Sequence, residues 1–194
     1  MPKNNARFSK PEDILAKIIV STFISLDGAA DHDNWDMGDG FWNPEMDKFK
    51  NDELDATSAM LLGRKTYEHF AEVWPTTTGD FADRFNSLPK FVASKSLKSV
   101  AWPPCELLAN PIAESVAKLK KTANGNILVH GSLVLAQSLA KLGLVDEYHL
   151  LTYPLVVGQG PRLFGGKQKI NLELISSQGF ANGVTALKFR TKSI

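Results

Sequence analysis

The sequence predicts an α/β fold in which a mostly parallel central sheet is flanked by helices and closed by a C-terminal antiparallel hairpin. Three observations lead there. Strand-like and helix-like segments alternate up to residue 150, and two strand-like segments then follow with no helix between them. The chain has 194 residues, of which 43% are hydrophobic, enough for a core at one-domain length. A single domain is expected over residues 14–194, after a polar, flexible lead-in at 1–13.

Each element has its own signal. Lys17–Ser25 (KIIVSTFIS) is β-branched and aromatic, as a buried strand should be, and Asp27-Gly28 ends it. Residues 29–43 turn polar and glycine-rich yet keep Trp35, Phe41 and Trp42, the composition of a long functional loop. Asn43-Pro44 joins an N-cap residue to a proline at the first helical position, which predicts a helix to Asp55. Ser58–Leu62 reads as a short strand stopped by Gly63, and Arg64–Val73 has helical spacing with Tyr67, Phe70 and Ala71 on one face. A short helix near Phe81–Phe85 leads to strands at Lys90–Ser94 and near Glu106–Ala109. Asn110-Pro111 is expected to cap a helix running through Lys121. Asn126–His130 is the next strand, and Gly131-Ser132 opens a helix over Leu133–Lys141 that Gly143 stops. Val145–Val157 reads as one strand with a break near Pro154. Leu172–Gln178 and Val184–Arg190 form the closing hairpin, with Asn182-Gly183 as its turn.

Composition removes several classes of function. Twenty-two basic residues against 21 acidic ones leave a net charge of +1, not the basic footprint of a nucleic-acid binder. The single cysteine, Cys105, allows no internal disulfide and no zinc spacing, as suits a reducing, cytoplasmic setting; a buried or half-buried inert thiol is expected. No apolar run reaches the roughly 18–20 residues a membrane span needs, and the polar start shows no signal peptide.

Common catalytic motifs are missing as well. A phosphate-binding GxxxxGK[ST] loop fails at Gly166-Lys167, because Pro161 replaces the first glycine and Gln168 follows the lysine. Gly158–Gly160 lacks the third glycine of a dinucleotide fingerprint and reads as a turn. The acidic stretch Asp31–Asp39 puts Trp35 and Trp42 where calcium ligands belong, so a solvated loop is expected there. The four histidines have no paired spacing, and no metal is expected.

What remains is a row of strand ends with small, basic and hydroxyl residues: Gly63-Arg64-Lys65-Thr66, Ser94-Lys95 and His130-Gly131-Ser132. Ligands of open α/β sheets bind outside the carboxyl ends of the strands. Helix N-termini there offer free N–H groups and the positive end of the dipole, which suits phosphate.

At this point the chain resembles a known family. Ser25-Leu26-Asp27-Gly28 resembles the SLDG signature of the RibD C-terminal, dihydrofolate-reductase-like superfamily, and Leu61–Tyr67 its LGRxTY motif. Leu144-Val145-Asp146-Glu147 with Pro154–Gly160 is similar to its LVDE…PVVLGxG segment. The likeness runs from Lys17 to Arg190 with four motifs in order, and implies a dihydrofolate-reductase-like fold. It further implies an NADPH-dependent reductase of a small heteroaromatic or carbonyl compound, related to riboflavin biosynthesis, in a homodimer. Dihydrofolate and the ribosylaminouracil of that pathway are the acceptors the family suggests. The alternative is a non-catalytic NADP-binding or assembly protein on the same fold.

By the same resemblance, Gly63, Arg64, Lys65 and Thr66 would hold the ribose and diphosphate region, and Gly131, Ser132 and Leu133 the diphosphate. Ser94 and Lys95 would sit at the adenosine 2′-phosphate, where a hydroxyl donor and a cation are the chemistry required. Dihydrofolate reductases have a cis Gly-Gly pair where this chain has His130-Gly131, and His130 is read as a strand-end residue. On the substrate side, Asp27 is either a proton source facing the cleft or a turn carboxylate. Asp47 is either a substrate-binding carboxylate or an exposed helix acid. Trp35, Phe41 and Trp42 either wall the substrate or pack the loop down, and Asp146-Glu147 is expected to bridge strand starts or a subunit contact.

Overall fold

The computed structural model describes residues 15–30, 35, 42–165 and 169–192. Phe41, the lead-in and most of the acidic stretch at 31–39 lie outside the described residues. The strands are β1 (Ile18–Ser25), β2 (Thr57–Gly63), β3 (Lys90–Ala93), β4 (Cys105–Leu107), β5 (Asn126–His130), β6 (Glu147–Tyr153), β7 (Leu172–Gly179) and β8 (Thr185–Thr191). The helices are α1 (Pro44–Asp55), α2 (Arg64–Val73), α3 (Asp80–Ser87), α4 (Ile112–Thr122) and α5 (Leu133–Lys141), with a 3-10 turn at Trp74–Thr76.

All eight strands join one sheet in the order β4-β3-β2-β5-β1-β6-β8-β7. Every pairing from β4 to β6 is parallel, and β8 lies antiparallel between β6 and β7. This is the expected mostly parallel sheet with a C-terminal antiparallel hairpin. Strand β1 is central and outruns one neighbour. It pairs with β5 only over Ile18–Ser21 but follows β6 as far as Ser25. Beyond Ser21 one edge of β1 is therefore bare, and the sheet is notched where β5 stops.

Alternation along the strands divides the core. Ala59 and Leu61 of β2 and Ile127 and Val129 of β5 pack under α4 and α5, whereas Met60 and Leu62 face the opposite side with Tyr67 of α2 and Phe85 of α3. A third cluster joins Met46 and Phe49 of α1 to Leu151, Tyr153 and Ala186. Between the last two clusters, α1 buries Lys50 and Glu53 beside Ser21 and His149.

Local chemistry explains the element ends. The Asn43 side chain accepts a hydrogen bond from Met46 N–H at 2.9 Å, and Pro44 opens α1 as expected. After α5, Gly143 has φ of 66° and donates to the Ala140 carbonyl, while Leu144 donates to that of Leu139. That pair of bonds is a Schellman stop.

Three boundaries differ from expectation. Asn110 does not cap α4; Pro111 stands at the N-cap without a side-chain bond, and the 109–115 turn is closed by Ser115 Oγ donating to the Ala109 carbonyl. Strand β6 ends at Tyr153, because Pro154 has no N–H to continue the ladder, and residues 154–157 are instead held by Leu26 N–H on the Leu155 carbonyl. The final hairpin has a longer turn than Asn182-Gly183 alone. Phe180 N–H meets the Val184 carbonyl, Gly183 N–H returns to Phe180, and Gly183 sits at φ 84°. In β7 the register steps from Leu174–Phe189 to Ser176–Lys188, so Ile175 is an extra residue forming a bulge.

Candidate active site

The notch beside β1 opens into a cleft of about 770 Å³ at the carboxyl ends of the parallel strands. Two chemically different halves meet in it: the starts of α2 and α5 on one side, and an aromatic chamber over buried charge on the other.

The helix starts are tied together. Gly63 N–H donates to Ser132 Oγ at 2.7 Å, and Ser132 N–H donates to Thr66 Oγ1 at 3.1 Å. Neither helix is capped by its own N-cap side chain, so first-turn N–H groups are left for another acceptor. Lys65, Thr66, Gly131, Ser132 and Leu133 all line the cleft. Gly131 and Ser132 take positive φ values of 62° and 52°, which turns the chain sharply from β5 into α5. Among the described residues the cis peptides are Pro103-Pro104 and Asn110-Pro111, and His130-Gly131 is not one of them.

A β-carbon on Gly63 would come within 3.2 Å of Ser132 Oγ and 3.5 Å of Leu135 Cβ. Gly63→Ala is therefore expected to push α5 away from β2 and cost about 1–3 kcal/mol. Chemical denaturation checks this, and an unchanged midpoint would count against the close approach.

Gly63 itself, Arg64, Ser94 and Lys95 are not on the cleft lining. Arg64 forks onto Glu68 at 3.0 and 3.1 Å on the surface of α2. Ser94 follows β3, and its Oγ accepts from Ser96 and Leu97 N–H, which places exposed Lys95 at a tight turn beside the end of β2. The three predicted phosphate sites thus stand in the order β3, β2, β5 along one edge of the sheet.

The chamber has aromatic walls and a charged floor. Phe23, Trp42, Phe70, Trp74, Phe81 and Phe85 line it. Trp42 stacks edge-on to Phe23 at 6.1 Å and donates its indole N–H to Asp47 at 2.5 Å. Asp47 is an exposed residue of α1 on the cleft rim. Trp35 lies apart from the lining and packs on Tyr153 at 5.7 Å.

On the floor, Lys50 Nζ donates to Ser21 Oγ at 2.9 Å, pairs with Glu53 and lies 3.4 Å from His130 Nδ1. The other Glu53 oxygen faces His149 Nδ1 at 2.8 Å, and His149 Nε2 faces Glu147 at 3.3 Å. Glu147 in turn pairs with Lys17 at 2.7 Å at the opposite edge of the sheet. Burial alone would raise the Glu53 carboxyl, but the charges of Lys50 and His149 outweigh it and hold the group well below the usual carboxylate range. Asp146 also bridges strand starts, accepting Ile18 N–H at 2.7 Å and the Lys120 ammonium at 2.6 Å.

Asp27 is placed elsewhere. Ser25 Oγ donates to it at 2.6 Å, Val157 and Gly158 N–H donate at 3.1 and 3.0 Å, and Arg162 pairs with it at 3.2 Å. The bonds from Ser25, Val157 and Gly158, Ser25's first, lower its pKa to about 2. It does not line the cleft. A carboxylate so engaged braces the β1 turn against the 157–162 loop, a placement in line with the turn-carboxylate reading.

Lys50, Glu53 and His149 are not singled out by the sequence, which reads His130 as a strand-end residue only. A signal existed. Met46, Phe49 and Leu54 mark the inner face of α1, and Lys50 and Glu53 fall on that same face. Two charges inside an apolar stripe need buried partners.

The family model for the RibD C-terminal domain matches residues 16–186. The chain belongs to that family. This RibD C-terminal domain protein is similar to the uncharacterized protein YyaP of Bacillus subtilis (strain 168), 28% identical over 179 residues covering 89% of this chain and 94% of YyaP. Among solved structures, a candidate riboflavin biosynthesis protein from Shewanella sp. PV-4 superposes with a TM-score of 0.75 at 22% identity, covering 91% of this chain and 99% of that one. Dihydrofolate reductase from Enterococcus faecalis, complexed with NADP(H), superposes at 0.60 and 11% identity, covering 91% and 97%. These likenesses show a dihydrofolate-reductase-like fold. Among the described residues no helix is long and apolar enough to cross a membrane, and no group of three or more His, Cys, Asp or Glu could hold a metal ion.

Proposed function

We propose that this RibD C-terminal domain protein is an NADPH-dependent reductase of a small heteroaromatic or carbonyl compound, of pteridine or pyrimidinone type. One observation supports it above others: a single cleft joins two uncapped helix starts to an aromatic chamber with an ammonium on its floor. The residues fit the cofactor. Lys65, Thr66, Gly131, Ser132 and Leu133 would take the diphosphate through N–H and hydroxyl donors, and a β-carbon on Gly63 would crowd Ser132 Oγ at 3.2 Å. Ser94 and Lys95, one strand further out, would take the 2′-phosphate. When bound, the reduced nicotinamide supplies a hydride.

The protein's own groups do the rest. Phe23, Trp42 and Phe70 offer flat apolar surface for a planar acceptor, and Lys50 and His130 offer polar hydrogens where negative charge develops. The reading carries a small-molecule partner, a cytoplasmic setting and a second copy as subunit partner, each as the family resemblance implies.

Titration of NADPH and NADH, followed by nicotinamide fluorescence, tests the reading. NADPH should bind the more tightly, and Lys95→Ala should weaken NADPH about tenfold while leaving NADH unchanged, as loss of one exposed charge-assisted phosphate contact requires. No binding of either nucleotide would overturn it and leave a non-catalytic role for the fold.

A further inference from the structure

We infer that His130 is held as the tautomer protonated on Nε2 and bridges a proton from Lys50 to the acceptor in the cleft. The inference rests on the reductase reading of that cleft and on the geometry behind it. An ammonium has donors only. The three nearest polar groups to Lys50 Nζ are Ser21 Oγ, a Glu53 oxygen and His130 Nδ1, one for each N–H. His130 Nδ1 must then accept, which leaves the ring proton on Nε2. Ring contacts fix the imidazole, with Phe70 at 5.7 Å and Phe23 and Phe85 both at 6.2 Å.

The ammonium is kept in place from behind. Glu53 is buried between Lys50 and His149, and Glu147 stands between His149 and Lys17, so acidic and basic side chains alternate from the cleft floor to the far edge of the sheet. Lys50, Ser21 and His130 line the cleft, whereas the Lys17 side chain is 55% exposed to solvent. Reduction consumes one hydride from the reduced nicotinamide and one proton. As the Nε2 proton leaves for the acceptor's oxygen or nitrogen, Nδ1 takes a proton from Lys50; His130 ends protonated on Nδ1 and Lys50 ends as the amine. The cycle closes when Nε2 takes a proton from solvent in the cleft as Nδ1 returns its own to the Lys50 amine, so one proton enters for each one delivered.

Ring nitrogen NMR of the ¹⁵N-histidine-labelled protein, with His130→Phe to assign the signals, reads the tautomer with no substrate present. The wild type is expected to show an unprotonated Nδ1 and a protonated Nε2 at neutral pH. Lys50→Met should lose that single pattern. Should that variant fail to fold, Lys50→Met with Glu53→Leu removes both buried charges and is expected to show the same loss. A wild-type proton on Nδ1, or an unchanged pattern without Lys50, overturns the inference. Because the tautomer is read without nucleotide, failure of NADPH binding would sink the reductase reading separately. With NADPH binding established, His130→Gln should lower kcat about 100-fold and leave the NADPH dissociation constant within threefold; an unchanged kcat also overturns the bridge.

Discussion

Glu53→Ala is expected to lower folding stability by about 3–5 kcal/mol, the cost of breaking a buried ion pair from one side. The Glu53 side chain is 1% exposed, and its removal strands the Lys50 ammonium and takes the carboxylate partner from His149 Nδ1 in the interface between α1 and the sheet. For a chain of this size the loss corresponds to roughly 10 °C in melting temperature. The pH dependence has a definite sign. Glu53 titrates well below its unfolded value, so its contribution is complete above the ordinary carboxylate range and fades as pH falls through and below that range. Wild-type melting temperature should therefore drop between pH 5 and pH 3, and the drop should be shallower in the variant. Asp27 titrates low as well, but its exposure leaves it little weight. Melts followed by circular dichroism at pH 7, 5 and 3 check both statements. A variant within 1 °C of wild type at pH 7 would show that the buried Lys50 ammonium finds another partner.

The second large effect is on turnover. Lys50→Met should reduce NADPH oxidation with the acceptor found by screening by about 10²–10⁴-fold, the usual worth of a positioned proton donor. The NADPH dissociation constant should stay within threefold, because Lys50 lies on the chamber floor while the donors for phosphate lie at α2 and α5. Single-turnover absorbance at 340 nm, at a temperature where the variant is folded, separates lost chemistry from lost protein. Equal losses in turnover and binding would move Lys50 from chemistry to cofactor positioning.

Signals that are local in the chain transferred well from sequence to structure. The boundaries of α2, β5 and α5 are those expected from Gly63, the NILVH run and Gly143, because each depends on a few neighbouring residues. The strand ends bearing Lys65, Thr66 and Ser132 were legible for the same reason. The charged floor was not. Glu53 meets His149 across 96 positions and Lys50 meets His130 across 80, so neither pairing exists until the sheet has formed. Asp27 shows the converse problem. Its two readings were equal in sequence, and only the arrival of Val157, Gly158 and Arg162, at least 130 positions away, bears on them. Asn110 was a reasonable cap that Pro111 displaced by taking the N-cap position itself.

The extra residue in β7 has a consequence for how copies of the protein can meet. β7 is the edge strand on the hairpin side of the sheet, eight residues long and exposed along nearly all of it, with Leu174 and Ile175 among the exposed apolar side chains. A straight strand of that length would be a template on which another chain could add without limit. Ile175 shifts the row of N–H and C=O groups by one position partway along, so an incoming strand in register with one part is out of register with the rest. Strand addition is disfavoured at this border, and a contact between copies made there falls to side chains on a face.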